Sequence, residues 1–197
     1  MYEYRKLSEN EREEIRRYRI QQGYPLHAPP HPHHEDGHFL ISAAIFEHQH
    51  LLSSPGRRTE FEMRLIEGFK QNGCEVHAWI VLPNHYHLLL NTKSFESIPT
   101  IVKRLHGSTS REWNLQDGVT GRKVWFNYSD RKIRSERHFF ATLNYIHQNS
   151  VKHGYVEEAT DWPWSSIHLY LADHGADWVV DVSEKYPILD YGRNWDD

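Results

Sequence analysis

WIVLPNHYHLLLN, residues 79–91, sets two runs of strand-forming side chains on either side of Pro83-Asn84. Apolar and aromatic residues bounded by a Pro-Asn pair read as strand, turn, strand. A connection this short allows only an antiparallel pair. The first strand extends back to Glu75 as EVHAWIVL, and HYHLLLN is the second. Working outward, HFLISAAIF (38–46) is a further buried strand candidate. Between these strands, Arg57 to Gln71 carries Phe61, Leu65 and Phe69 at four-residue spacing, with Met63 and Ile66 alongside. That is the pattern of an amphipathic helix, and Asn72-Gly73 closes it. Downstream, Ile98, Ile101, Val102, Leu105 and Thr109 describe a second helix ending near Trp113. Gly118 to Lys123 is a loop, VWFNY (124–128) a short strand, and Glu136 to Asn149 a third helix with Phe139, Phe140, Leu143 and Ile146 on one face. The order strand, helix, strand, strand, helix, strand, helix predicts an α+β fold with helices packed on an antiparallel sheet.

The 197 residues, 38% hydrophobic and 25% charged, match one globular domain, long enough to bury a core without covalent staples. The longest apolar run, around Ile80–Leu82, is far short of the ~20 residues that span a bilayer. The opening MYEYRKLSENEREE lacks the apolar stretch of a signal peptide, and Cys74 is the only cysteine, which excludes an intrachain disulfide. A cytoplasmic protein is expected. Residues 1–37 read as an extension, with a short charged helix from Glu9 to Ile20 followed by GYPLHAPPHPHHEDG. The prolines there discourage regular structure. His27, His31, His33 and His34 have no cysteine near them to complete a structural zinc site, so an ordered loop is expected. The body of the fold is read as residues 38–170, and 171–197 as an acidic tail.

Net charge is −4, which by itself argues against a partner bound through its phosphates. The distribution argues the other way. Ile101 to His138 holds nine Lys or Arg against four acids, whereas Glu157 to Asp197 holds ten acids against two bases. A basic middle beside an acidic end is compatible with one DNA-facing surface, and equally with an ordinary mixed-charge one.

Two constellations carry chemistry. His85-Tyr86-His87 lies at the start of a strand, where alternate side chains share a face, so the two imidazoles project together and Tyr86 points away. Two rings on a rigid strand can hold one divalent ion, although a chain with sixteen histidines produces such pairs by chance. The second constellation is Tyr145 with Asn149. On a helical wheel both fall away from the Phe139, Phe140, Leu143 and Ile146 stripe, and at i and i+4 they stack one turn apart. Taken together the two explain each other. A divalent ion offsets the phosphate charge that repels a nucleophile, and a phenolate can then attack and remain attached as a phosphotyrosine. Asn149 would supply a third, oxygen ligand. Mg²⁺ prefers oxygen donors and Mn²⁺ accepts imidazole more readily; either is expected.

At these residues the sequence resembles the tyrosine transposases associated with repetitive extragenic palindromes, relatives of the single-tyrosine transposases of small insertion sequences. WIVLPNHYHLLLN resembles their HUH segment, and VWFNYSD, LNYIHQNSVKHGYV and WPWSSIHLY their later blocks, together covering about His38 to Tyr170. The resemblance implies the HUH nuclease fold, a ferredoxin-like antiparallel sheet with packed helices. It also implies Tyr145 as nucleophile, His85, His87 and Asn149 as metal ligands, and single-stranded DNA beside an imperfect hairpin as substrate. The chain departs from the family pattern in three ways. It has Asn149-Ser150 where Asn-Pro is common, it lacks an aromatic near Ser129, and it is less basic overall.

For DNA contact the candidates are Lys103, Arg104, His106 and Arg111 on the second helix, then Arg122, Lys123, Arg131, Lys132, Arg134 and Arg137. Trp125, Phe126 and Tyr128 lie among them for base stacking, and Lys152-His153 follows the Tyr145 helix. Three functions are carried forward. The first is a metal-dependent single-strand DNA endonuclease and strand transferase that forms a 5′-phosphotyrosine, acting as a monomer or homodimer. The second is a domesticated hairpin-DNA-binding protein that does not cut. The third is an unrelated two-histidine metalloenzyme for a small molecule, which requires an apolar pocket beside the histidines and gives Tyr145 no role.

Overall fold

The computed structural model describes residues 7–21 and 36–192. The His-rich segment with His27, His31, His33 and His34 lies outside the described residues. Ahead of the sheet is α1 (Glu9–Gln21), after which come β1 (Gly37–Ala44), α2 (Pro55–Lys70), β2 (Glu75–Val81), β3 (His85–Thr92), α3 (Ser97–Gln116), β4 (Ser129–Lys132), α4 (Glu136–Lys152), α5 (Ile167–His174) and α6 (Ala176–Lys185). The four strands form one antiparallel sheet in the order β2-β3-β1-β4. This is the ferredoxin-like arrangement expected from the sequence. Among the described residues, no helix is long and apolar enough to cross a membrane.

Alternation along the strands divides the core in two. Phe39, Ile41 and Ala43 of β1 and Tyr86, Leu88 and Leu90 of β3 face α2 and α3, where Phe61, Leu65, Phe69, Ile98, Val102 and Trp113 complete the layer. Leu40 and Leu89 face the other way and pack with Leu143, Tyr145 and Ile146 of α4. His85 and His87 share the parity of Leu89, so they too face α4. Two helices thus cover one side of the sheet and the tyrosine-bearing helix covers the other.

Two local expectations are corrected. VWFNY is not a strand: it makes one isolated bridge, Ile45 to Trp125, and β4 begins at Ser129. Tyr145, expected to fall away from the apolar stripe of its helix, packs in the same buried layer as Leu143 and Ile146. Residues 141–147 are all buried, because α6 covers the side of α4 that faces away from the sheet. Asn144 Nδ2 donates to Val182 O at 3.1 Å and Tyr186 O at 2.8 Å. Helix α6 falls within the stretch read as an acidic tail.

Two imidazoles are structural. His147 is buried against Ser166, with Nε2 3.0 Å from its Oγ, and Ser166 Oγ in turn accepts from Trp79 N. That contact ties α4 to the WPWSS segment and to β2. His106 stacks on Trp125 at 4.3 Å and meets the Tyr86 hydroxyl at 3.1 Å. Burial holds both rings down to about 3, with His168 adding to the effect at His147. A folded-state value below the unfolded ~6.5 means that unfolding takes up protons. The stability is therefore fully present above that value and falls as pH drops toward 3. The expected slope is about 1.4 kcal/mol per pH unit for each ring. Urea midpoints should hold between pH 7.5 and about 6.5 and decline from there to pH 4.5, and His147→Gln should flatten the decline. A flat profile in the parent protein would contradict the burial of these rings as neutral species.

Candidate active site

Register brings the histidines to their supports. Ala44 pairs with His85 and Ser42 with His87 across β1 and β3. Ser42 Oγ lies 2.6 Å from His87 Nδ1, and Asn84 Oδ1 lies 2.7 Å from His85 Nδ1. Both rings are therefore held through Nδ1 and present Nε2 toward α4, the arrangement that orients metal-binding imidazoles. His85 is 3% exposed and His87 1%.

Helix α4 answers with Tyr145 and Asn149. Ser135 caps the helix, its hydroxyl accepting from His138 N at 3.1 Å. The helix then runs unbroken past Ser150, so Tyr145, Asn149 and His153 recur at four-residue spacing along one side. The Tyr145 hydroxyl lies 3.3 Å from His87 Nε2, and Asn149 Oδ1 lies 2.9 Å from His85 Nε2. The His153 ring sits 4.8 Å from that of His85. Every group predicted for catalysis or metal binding meets in one buried cluster.

These donors suit a divalent cation. When His85 Nδ1 donates to Asn84, Nε2 carries a lone pair aimed at the Asn149 carbonyl oxygen, also a lone-pair atom. Two such atoms face to face in a buried site repel each other unless a cation lies between them. Their separation is close to the about 3 Å between adjacent ligand atoms on one small divalent ion. Asn149 Nδ2 is buried and without a hydrogen-bond partner, so in this tautomer neither end of the amide is satisfied until a cation is bound. Among the described residues no three His, Cys, Asp or Glu side chains are grouped for a metal; the third donor here is an amide.

Sequence reasoning missed what lies over Tyr145. The residue is 1% exposed because the chain returns across it after α6. The Tyr191 ring stands 5.7 Å from the Tyr145 ring, its hydroxyl accepting from Thr142 at 2.6 Å. Lys152 Nζ lies 5.2 Å from the center of the Tyr145 ring and donates to Gly192 O at 3.2 Å. Gly192, at φ +77, packs so closely that a Cβ there would run into the Tyr145 ring. Both the positive φ and the close approach require glycine. Gly192→Val is expected to lift this segment and expose Tyr145, read as several-fold faster nitration of that tyrosine by peptide mass mapping. Unchanged nitration would show that the segment does not shield it.

The predicted DNA contacts separate. Lys103, Arg104 and Arg111 are exposed on α3, on the side of the sheet away from the histidines. Arg122 is held by Asp117 at 2.6 Å and Asn114 at 2.8 Å. Trp125, expected to stack on bases, is instead a core residue: it is 6% exposed, packed against His106, Phe61 and Trp113, and bonded through Nε1 to Thr109. Tyr128 is half-buried against the same core, its hydroxyl pushed up by burial and by the charge of Asp130. Arg131 and Arg134 are exposed and Lys132 half-buried along the edge strand β4, which leads into α4. Of the predicted cations, Lys152 lies against the nucleophile candidate itself.

A family model described as "Transposase IS200 like" matches residues 44–157. The chain is 26% identical over 136 residues to a REP-associated tyrosine transposase of Escherichia coli, covering 64% of this chain and 77% of that one. It is 33% identical over 86 residues to the ISDra2 transposase TnpA of Deinococcus radiodurans, covering 44% and 60% respectively. A solved REP-associated tyrosine transposase bound to a REP hairpin shares the fold, with a TM-score of 0.60 at 21% identity over 76% of this chain and 88% of that chain.

Proposed function

The chain belongs to the IS200-like transposases, a family of enzymes whose model spans more than half of it, and we propose that it cleaves and rejoins single-stranded DNA beside a hairpin. The convergence of Tyr145, His85, His87 and Asn149 in one buried cluster carries this reading. The hairpin comes from the relatives: the similar solved structure holds a REP hairpin.

In the reaction the Tyr145 oxygen forms a bond to phosphorus as the bond from phosphorus to the 3′-oxygen breaks. A 5′-phosphotyrosine and a 3′-hydroxyl result. The phenol's proton is lost, and the departing 3′-oxygen takes one up, so the exchange is neutral overall. Attack of a 3′-hydroxyl on the phosphotyrosine reverses these bonds and joins strands. His85, His87 and Asn149 would hold Mg²⁺ or Mn²⁺, which neutralises charge on the phosphate oxygens and polarises the phosphorus. Ser42 and Asn84 fix the two rings, and α4 fixes the phenol. Lys152, one helical turn beyond the phenol's neighbour Asn149, offers a positive charge to the phosphate. DNA, as a partner, would meet Arg131, Lys132 and Arg134 along the edge of the same layer. Residues 38–170 would form the catalytic unit, in a protein acting on chromosomal DNA in the cytoplasm as a monomer or homodimer.

The test is a hairpin-flanked oligonucleotide labelled at either end, incubated with the full chain and Mn²⁺ or Mg²⁺. A covalent adduct at the 5′ end of the downstream fragment, with a free 3′-hydroxyl on the upstream one, is expected. One observation favours the second reading, a non-cleaving hairpin-binding protein: Tyr145 is covered by residues 191–192. Tight hairpin binding with no adduct under either ion would select it.

A further inference from the structure

We propose that His38 and His77 form a second metal site, a two-imidazole chelate for Zn²⁺ or a like borderline cation, at the end of the sheet opposite the catalytic cluster. The inference stands apart from the DNA reading and needs no part of it. The two ring centers are 5.0 Å apart, with planes at 29°. A ring nitrogen binds Zn²⁺ at about 2.1 Å, which at a tetrahedral angle sets the centers of two rings on one ion about 5 Å apart. The catalytic pair His85 and His87 has the same spacing, 5.1 Å.

A bulge brings the second ring to the first. Val76 pairs with Leu90 and Ala78 with Leu89, which leaves His77 as an extra residue in β2. Val76 packs on the α2–α3 layer and Ala78 on the α4 layer, although a regular strand would set both on one face. A bulge re-aims a side chain in this way. His77 thus reaches over β3 to His38, which shares the parity of Leu40 and faces α4. Phe139 of α4 meets both rings edge-on, at 5.4 Å from His38 and 5.3 Å from His77. Both backbones are anchored as well. The Tyr170 hydroxyl donates to His77 O at 3.0 Å, and Ile133 N donates to His38 O at 2.8 Å.

The rings are held in place while their nitrogens stay unengaged. Among the described residues no hydrogen bond reaches a ring nitrogen of His38 or His77, and His77 Nε2 is buried. Glu75 Oε2 lies 3.9 Å from that nitrogen, too far for a hydrogen bond, and places a negative charge beside the site. Glu75 and His38 stand opposite the same residue, Asn91 of β3. Burial, opposed by Glu75 and aided by His38, holds the His77 ring below its ordinary value. The ring is therefore neutral near pH 7 and keeps a lone pair for a metal. Imidazole donors alone suit Zn²⁺, Cu²⁺ or Ni²⁺ better than Mg²⁺, and water would fill the remaining positions. Along β1, His38 is six residues from Ala44, the partner of His85, or about 20 Å of strand. An ion here would tie β1 to β2 across β3, beneath the first turns of α4, without sharing a donor with the catalytic ion.

The experiment is equilibrium dialysis of the full chain against Zn²⁺, at a free ion concentration that saturates the parent protein. His38→Gln should lower the bound metal by about one equivalent, His77→Gln by the same one, and the double variant by no more than either. Any ion held at His85 and His87, or at His27, His31, His33 and His34, remains in all of these chains and cancels in the comparison. Undiminished binding by both single variants overturns the site. So does a double variant that loses two equivalents, since the rings would then bind separately. A second measurement needs no substitution and so does not depend on the variants folding. Carbethoxylation of His38 in the parent, read by peptide mass mapping, should slow several-fold when Zn²⁺ is added. Unchanged reactivity of His38 at saturating Zn²⁺ overturns the proposal.

Discussion

Tyr145→Phe is expected to reduce the covalent protein–DNA adduct to nothing detectable while hairpin binding changes by no more than a few-fold. The substitution removes one oxygen and keeps the ring that packs against His87, Tyr191 and the Leu143–Ile146 layer. Among the described contacts, what is lost in the resting protein includes the 3.3 Å contact with His87 Nε2, of the order of 1 kcal/mol. The fold therefore survives, and any loss of adduct reports on chemistry. Denaturing gels of labelled oligonucleotide, beside a binding isotherm for the same sample, separate the two effects. An adduct of undiminished amount would assign the nucleophile to another residue.

The second large effect is expected at the metal donors. His87→Ala should lower Mn²⁺ affinity by well over the ~10–100-fold that follows loss of an outer-sphere partner, and adduct formation should fall with it. His85→Ala should match it, since the two rings stand 5.1 Å apart and present the same nitrogen to α4. Asn149→Ala is the sharper test, because it removes the amide oxygen while leaving both imidazoles. Electron paramagnetic resonance of bound Mn²⁺ reads affinity without any need for turnover. Asn149→Asp, which retains an oxygen donor, should restore binding that Asn149→Ala loses. Mn²⁺ affinity indifferent to both changes at Asn149 would detach α4 from the ion and favour a two-histidine site with no part for Tyr145.

The departures from family pattern noted in the sequence have different consequences in the fold. Ser150 in place of proline allows α4 to continue to Lys152, since serine keeps the backbone N–H that proline lacks. His153 and Lys152 are thereby carried on the same helix as the phenol. The net negative charge of the whole chain is offset locally: the acids of α6 lie on the outer side of α4, away from the sheet face that holds the histidines.

Much of this was legible because local periodicity is strong. The Pro83-Asn84 turn set the pairing of β2 with β3, and a period of two placed His85 and His87 on one face. A period of 3.6 stacked Tyr145 over Asn149 in the same way. Errors arose where local pattern had to stand for long-range contact. Trp125 sits among basic residues in the sequence and looked available to a base, but its burial depends on Phe61, His106 and Trp113 from α2 and α3. The strand expected at 124–128 begins five residues later, at Ser129, because pairing with β1 decided its position.

The order of elements, the antiparallel hairpin, the shared face of the two imidazoles and the one-turn spacing of phenol and amide were all written in the linear chain, because each depends only on bonds and torsions between near neighbours. That the phenol meets those imidazoles from the helix packed on their side of the sheet, that Gly192 and Tyr191 lie over it, and that His38 meets His77 were decided by the fold. Those contacts join residues tens of positions apart, and their geometry comes from strand register and from which side of α4 finds its apolar complement.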